Sequence, residues 1–145
     1  MTETQRPVTV TENGRTTYAQ TVRIGQHLLT ADEPQASGGQ DAGPSPYEYL
    51  LAGLGACTIM TIRMYAQRHN WPLIRTTVEL RHEKVTSPSG SAINDQFHRV
   101  IHLEGELTDQ QRSRILEIAE HCPVGGTLRH GAIIDTAPAG NLDGA

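Results

Sequence analysis

The segment SPYEYLLAGLGACTIMTIRMYAQRH, residues 45–69, constrains the fold more than any other part of the chain. Ser45 is suited to cap a helix, and Pro46 to occupy its first position. From there Tyr47, Leu50, Leu51, Leu54, Cys57, Met64 and Tyr65 recur at three- and four-residue spacing, which predicts a helix from Pro46 to about His69. At 1.5 Å per residue such a helix is about 35 Å long, as long as a small domain is wide, so it is expected to be the central element. Gly53, Gly55 and Ala56 lie just before Cys57. A glycine inside a helix costs up to about 1 kcal/mol, so these small residues point to close packing or substrate access. Asn70-Trp71-Pro72 ends the helix, with Trp71 anchoring that end.

The segments on either side read as strands and shorter helices. Val8 and Val10, Tyr18 to Ile24, and His27 to Leu29 alternate as strands do. Asn13-Gly14 has the composition of a tight hairpin turn, and Gly25 marks a second turn, predicting a three-stranded antiparallel meander. Residues 32–46 are dense in Pro, Gly, Ser and Asp and are expected to form a loop. Thr76 to Val85 and Phe97 to Glu104 read as two further strands joined by a polar loop. Thr108-Asp109 can cap a second helix running through Glu120, and Cys122-Pro123 starts a turn or a short third helix through Leu128. A last strand is expected at Ala132 to Asp135. Strands that arrive in hairpins rather than in βαβ alternation indicate an α+β fold. A chain of 145 residues is expected to form one domain, with 136–145 as a flexible tail.

The formal net charge of −4 leaves no basic field to attract nucleic acid or an anionic membrane, so neither partner is expected. The first ten residues lack a basic segment followed by an apolar run. No continuous apolar stretch of 18 residues is present, so no signal peptide or membrane span is expected, and the cytosol is the expected location.

Cys57 and Cys122 are the only cysteines and lie 65 positions apart. In a reducing compartment this pattern leaves open a redox-active pair or two unrelated buried thiols. A thiol reacts as its thiolate, and an ordinary thiol pKa of about 8.5 leaves about 3% ionised at neutral pH. The helical neighbours of Cys57 (Gly53, Leu54, Met60 and Thr61) bring no cation, so an activating group must come from elsewhere in the fold. Cys122 precedes a proline at an expected helix start, where free N–H groups and the helix dipole favour a negative sulfur by about 0.3–1 kcal/mol. If the fold brings the two sulfurs together, a cycle through sulfenic acid and disulfide becomes possible.

The stretch GPSPYEYLLAGLGACTIMTIRMYAQRHNWPL, followed by ILEIAEHCPVGGTL, resembles the OsmC/Ohr superfamily, and most of all its OsmC-like branch. The resemblance covers nearly the whole chain. It implies antiparallel sheets packed around a long central helix, in an intertwined homodimer with active sites at the subunit interface. It also implies thiol-dependent reduction of organic hydroperoxides without metal or organic cofactor. Carried over by residue, Cys57 matches the peroxidatic cysteine and Cys122 the resolving one, with an external dithiol resetting the pair.

Members of the family use a glutamate ten residues before the reactive cysteine and an arginine in the N-terminal hairpin. Tyr47 stands at the glutamate position here, and Glu48 lies nine residues before Cys57. On an unbroken helix nine residues leave the two side chains half a turn out of phase with about 13.5 Å of rise between them. A contact across the dimer is then the expected route for Glu48, whose other role is to complement the dipole of the first turn. Arg15, after the Asn13-Gly14 turn, fits the arginine position best, with Arg23 as the fallback; such a cation would lower the thiol pKa. The Gly125-Gly126 pair after Pro123-Val124 replaces larger polar residues of many relatives. Tyr47, Leu51, Leu54 and Met60, with Leu50, Met64 and Tyr65, could line an apolar channel for the hydroperoxide tail or pack the seam between subunits. His98 and His102 point to one side of a strand together with Val100 and Glu104, as on a solvated face, so no metal site is expected. His121 diverges from Cys122 by about 100° if both are helical, which makes it a poor base for that thiol. An alternative function is a dimeric binding protein for a small lipid or hydrophobic metabolite, with vestigial or sensor cysteines. Acyl transfer through Cys57 ranks third, because no histidine partner stands out.

Overall fold

In the computed structural model, which describes residues 5–140, the order is β1 (Val8–Glu12), β2 (Gln20–Ile24), β3 (His27–Ala31), α1 (Pro46–Arg68), β4 (Leu73–Thr86), β5 (Ile93–Gly105), α2 (Asp109–Ala119) and α3 (Pro123–His130). The fold is α+β, with antiparallel strands and one long helix, as the sequence predicts. Chain contacts divide it into two compact units, Met1–Gly53 with Leu80–Arg99, and Leu54–Glu79 with Val100–Ala145.

The first unit holds the meander β1-β2-β3, with Val10 opposite Val22 and Val22 opposite Leu29. Gly25, at φ 58°, makes the two-residue turn between Ile24 and His27, where the positive φ suits glycine. Asn13-Gly14 does not make the expected two-residue turn. The strands part after Glu12 and rejoin at Gln20, and the wider loop is closed by the Asn13 N–H donating to Ala19 O at 3.1 Å. Asn13 Oδ1 instead accepts the Arg15 N–H at 3.0 Å, a local bond that competes with the hairpin ladder.

The loop from Asp32 to Pro44 is ordered by one buried carboxylate. Asp32 accepts the N–H groups of Glu33, Gln40 and Ala42 at 2.7–3.1 Å. Burial alone would push this carboxyl up, but the three donors together hold it below the usual carboxylate range. Only glycine fits at position 39, where a Cβ would lie 1.9 Å from Glu33 O. The loop leads into a reciprocal cap: the Ser45 N–H donates to Glu48 Oε1 at 2.9 Å, and the Glu48 N–H to Ser45 Oγ at 3.4 Å. Also in this unit, Tyr47 stacks on His82 with ring centroids 4.2 Å apart and planes 7° from parallel, while His82 packs on Phe97 and Lys84 lies over the Tyr47 ring.

The second unit is built around Ile62, Ala66, Leu73, Leu107, Ile115 and Ala119, with Trp71, Ile101 and Leu103 packed against them. Arg63 donates to the carbonyls of Leu73 and Ile74, and Arg112 to those of Leu103 and Gly105, so these chain segments are tied by charge-assisted bonds. Thr108 caps α2 in a second capping box with Gln111. β4 and β5 run several residues beyond the predicted strands, taking up Leu73–Arg75 and Ile93–Gln96.

Two expectations need correction. The chain buries Leu54, Thr58, Ile62 and Ala66 of α1, an i, i+4 row, together with Gly55, whereas Tyr47, Leu50 and Met64 of the predicted stripe are exposed. The helix is apolar over most of its circumference, so spacing alone does not tell which face meets the rest of its own chain. The last strand is also not present. Residues 131–138 form neither helix nor strand, and Ile133 and Ile134 are 92% and 86% exposed. A strand needs a neighbour to bond with, and within the described residues of one chain this segment has none. Of the predicted tail, 141–145 lie outside the described residues. By length and composition alone α1 would suffice to cross a membrane, with a mean hydropathy of 1.3 over an 18-residue window, a property it shares with the core helices of soluble proteins.

Candidate active site

Both sulfurs accept backbone N–H groups at the start of α3. Cys122 is the N-cap of this helix: its Sγ accepts the Gly125 N–H at 3.3 Å, and Pro123 takes the first helical position, where no N–H is needed. The preceding amide, that of Val124, donates to Cys57 Sγ at 3.5 Å. Two consecutive N–H groups of one helix start are therefore turned to two different sulfurs. Orphan amides at a helix N-terminus favour negative charge, so the arrangement suits a thiolate or the polarised sulfur of an oxidised intermediate.

The surroundings of the two sulfurs differ. Cys57 sits in the middle of α1 and is partly accessible, while Cys122 is buried. Facing Cys122 from α1 is Thr58, fully buried, with Oγ1 3.8 Å from Cys122 Sγ and 2.7 Å from Leu54 O. No disulfide joins the two cysteines.

The other predicted residues take distinct places. Glu48 is held in the cap of α1, and the Ser45 backbone and side-chain bonds keep its carboxyl below the usual range. The helix continues unbroken from Pro46 to Arg68. Arg15 is exposed in the loop after β1, and Arg23 is exposed on β2. Tyr47 is half-exposed against His82, Leu51 is half-buried, Leu54 is buried, and Met60 is exposed. His121 is exposed. His98 and His102 bond to Glu83 and Glu79, and among the described residues no group of three or more His, Cys, Asp or Glu side chains could hold a metal ion.

Three features escaped sequence reasoning. Thr58 was hidden because a threonine between Cys57 and an apolar run reads as filler, although its four-residue spacing from Leu54 and Ile62 puts it on the buried row. The Val124 amide has no side-chain signature at all. The Tyr47-His82-Phe97 stack joins three distant positions that no local pattern links.

Residues 38–137 match the family described as OsmC-like protein. No curated protein sequence matches the chain. Among solved structures, an OsmC-like protein from Mycoplasma pneumoniae is similar over 88% of this chain and 89% of its own, at 18% identity and a TM-score of 0.72. An organic hydroperoxide resistance protein, OsmC, from Legionella pneumophila is similar over 88% and 92%, at 19% identity and a TM-score of 0.65. The organic hydroperoxide resistance protein OhrB of Bacillus subtilis is similar over 87% and 91%, at 19% identity and a TM-score of 0.61. At these identities the likeness establishes a shared fold.

Proposed function

The chain belongs to the OsmC-like protein family, and from that premise we propose that it reduces organic hydroperoxides with Cys57 as the attacking thiol and Cys122 as the resolving one. The observation that carries the reading is the delivery of both sulfurs to consecutive amides of α3, Val124 N–H to Cys57 and Gly125 N–H to Cys122. The fold shared with proteins named for organic hydroperoxide resistance supports it.

In the first step the Cys57 thiolate attacks the O–O bond of the hydroperoxide. An S–O bond forms, the O–O bond breaks, and the departing alkoxide takes a proton from solvent to become an alcohol. The partial exposure of Cys57 suits a sulfur that must meet substrate. In the second step the Cys122 sulfur attacks the sulfenic sulfur. The S–S bond forms, and the hydroxyl group leaves with the Cys122 proton as water. An external dithiol then returns two electrons and two protons. The reading assigns the activating cation to Arg15, with Arg23 as the fallback, and leaves Glu48 the task of fixing the start of α1. No cofactor enters any step, and the reducing cytosol supplies the setting.

The active form in this reading is a homodimer. Met60 is 67% exposed and Met64 53%, and Ile133 and Ile134 are exposed on a segment that forms neither helix nor strand; a second copy of the chain would cover such apolar surface. Mixing the reduced protein with cumene or tert-butyl hydroperoxide tests the function. Loss of one equivalent of peroxide together with both thiols is expected. Retention of both thiols under excess peroxide, with a hydrophobic ligand found on the freshly purified protein by native mass spectrometry, would support a binding protein instead.

A further inference from the structure

We propose that Thr58 is a positioning residue for Cys122, accepting its S–H and so holding the buried sulfur as a protonated thiol until Cys57 has been oxidised. The inference rests on the two-step cycle above, and it follows from counting protons. The Thr58 hydroxyl has one proton and two lone pairs. Leu54 O, 2.7 Å away, can only accept, so the hydroxyl proton is spent on that bond. At the 3.8 Å contact between Thr58 Oγ1 and Cys122 Sγ, the remaining donor is the thiol. Cys122 then donates S–H to Thr58 while its sulfur accepts the Gly125 N–H, and the orientation of the thiol is fixed from both sides.

Burial makes this bond matter. Thr58 is fully buried and Cys122 is 1% exposed, so water cannot replace a lost partner. The arrangement also suits oxidation. When Cys122 gives up its proton on forming the disulfide, the group left over is a hydroxyl oxygen still bonded through its own proton to Leu54 O, and no buried donor is orphaned. The polarity of the bond separates two sulfurs that share one helix start: Thr58 favours the protonated form of Cys122, while the bond described for Cys57 is one in which its sulfur accepts, from the Val124 N–H. From α1 the titratable group nearest this site in sequence is Cys57 itself. From the α2–α3 side, His121 is exposed and Glu120 is paired with Arg129.

The test is the titration of Cys122 as the single thiol in Cys57→Ser, followed by thiolate absorbance, with Thr58→Val and Thr58→Ser added in turn. Valine keeps the shape and removes the acceptor; serine keeps the acceptor. The valine variant is expected to lower the titration midpoint by about half a unit to one unit, about three- to tenfold more thiolate at a fixed pH below the midpoint. Serine is expected to keep the parent value. With Cys57 restored, the pH profile of disulfide formation from the Cys57 sulfenate should shift with the valine variant by the same amount. A midpoint that rises or stays in Thr58→Val, or a serine variant that behaves like valine, overturns the proposal. The single-thiol titration uses no peroxide, so it can fail while the two-step cycle holds, or succeed while the cycle fails.

Discussion

The middle of α1 and the start of α3 each contribute one sulfur, and they do so in opposite ways. Cys57 lies in the middle of a regular helix, and the Val124 amide of α3 donates to its sulfur. Cys122 lies where a helix begins, and its sulfur is itself the cap. The first sulfur is partly open and the second is closed off by Thr58 and α3. In the proposed cycle, a thiol that must meet substrate and a thiol that must wait for an intermediate need this difference in access. Backbone amides of α3 reach both sulfurs, and the fold differs in how much it covers each.

The largest expected effect separates the two sulfurs outright. Cys57→Ser is expected to lower hydroperoxide consumption by at least about a thousandfold in a dithiol-coupled assay, since the nucleophile is gone. Cys122→Ser is expected to retain the first chemical step and stop cycling. Serine is itself a good N-cap, so α3 should remain capped, and a sulfenate-specific trap should label Cys57 in that variant. Equal loss of the first step in both variants would erase the distinction between an open and a waiting thiol.

The next effects concern the two faces of α1. Ile62→Ala removes a fully buried side chain from the core and should cost about 2–5 kcal/mol in denaturant unfolding. Met64→Glu, on the exposed face, is expected to dissociate the proposed dimer in sedimentation experiments while the circular dichroism of the chain persists. If both variants unfold alike, the exposed face belongs to the same core.

Smaller effects test the helix start that the sulfur cap resembles. Thr108→Ala removes the oxygen of a capping box and should cost about 1 kcal/mol, with a similar cost for Ser45→Ala at α1. The last effect is on pH dependence. Burial pushes the Asp32 carboxyl up, but three backbone donors hold it below the usual range; the Ser45 bonds lower Glu48, and Lys84 followed by His82 lowers Asp95. A carboxyl with a depressed folded-state pKa stabilises the fold above its unfolded value, near pH 4, and that contribution is lost as pH falls through the lower folded value. Asp32→Asn should flatten this acid limb in urea titrations at pH 2–5, whereas a variant with the parent slope would show that the loop clamp contributes nothing.

Much of this architecture is legible in the sequence because it is local. Ser45-Pro46, Thr108-Asp109 and Cys122-Pro123 announce three helix starts through side-chain chemistry, and each begins a helix at the expected position. Gly25 gives its turn for the same reason. The less legible parts depend on partners far along the chain. An all-round apolar helix hides which face its own chain buries, and the Ala132 to Asp135 segment has strand composition without a strand to bond with. At the site, the positions of Cys57 and Cys122 could be marked from their motifs. Their shared pair of amides could not, because backbone donors leave no trace in residue type, and the contact of Thr58 with Cys122 joins positions far apart in the chain.

The most direct measurement is a peptide map of the reduced protein after one equivalent of tert-butyl hydroperoxide, run without added dithiol. The account predicts a disulfide joining Cys57 to Cys122, reversed by dithiol with recovery of both thiols. Recovery of both cysteines unmodified, or of Cys57 as sulfinic acid with Cys122 still free, would contradict it.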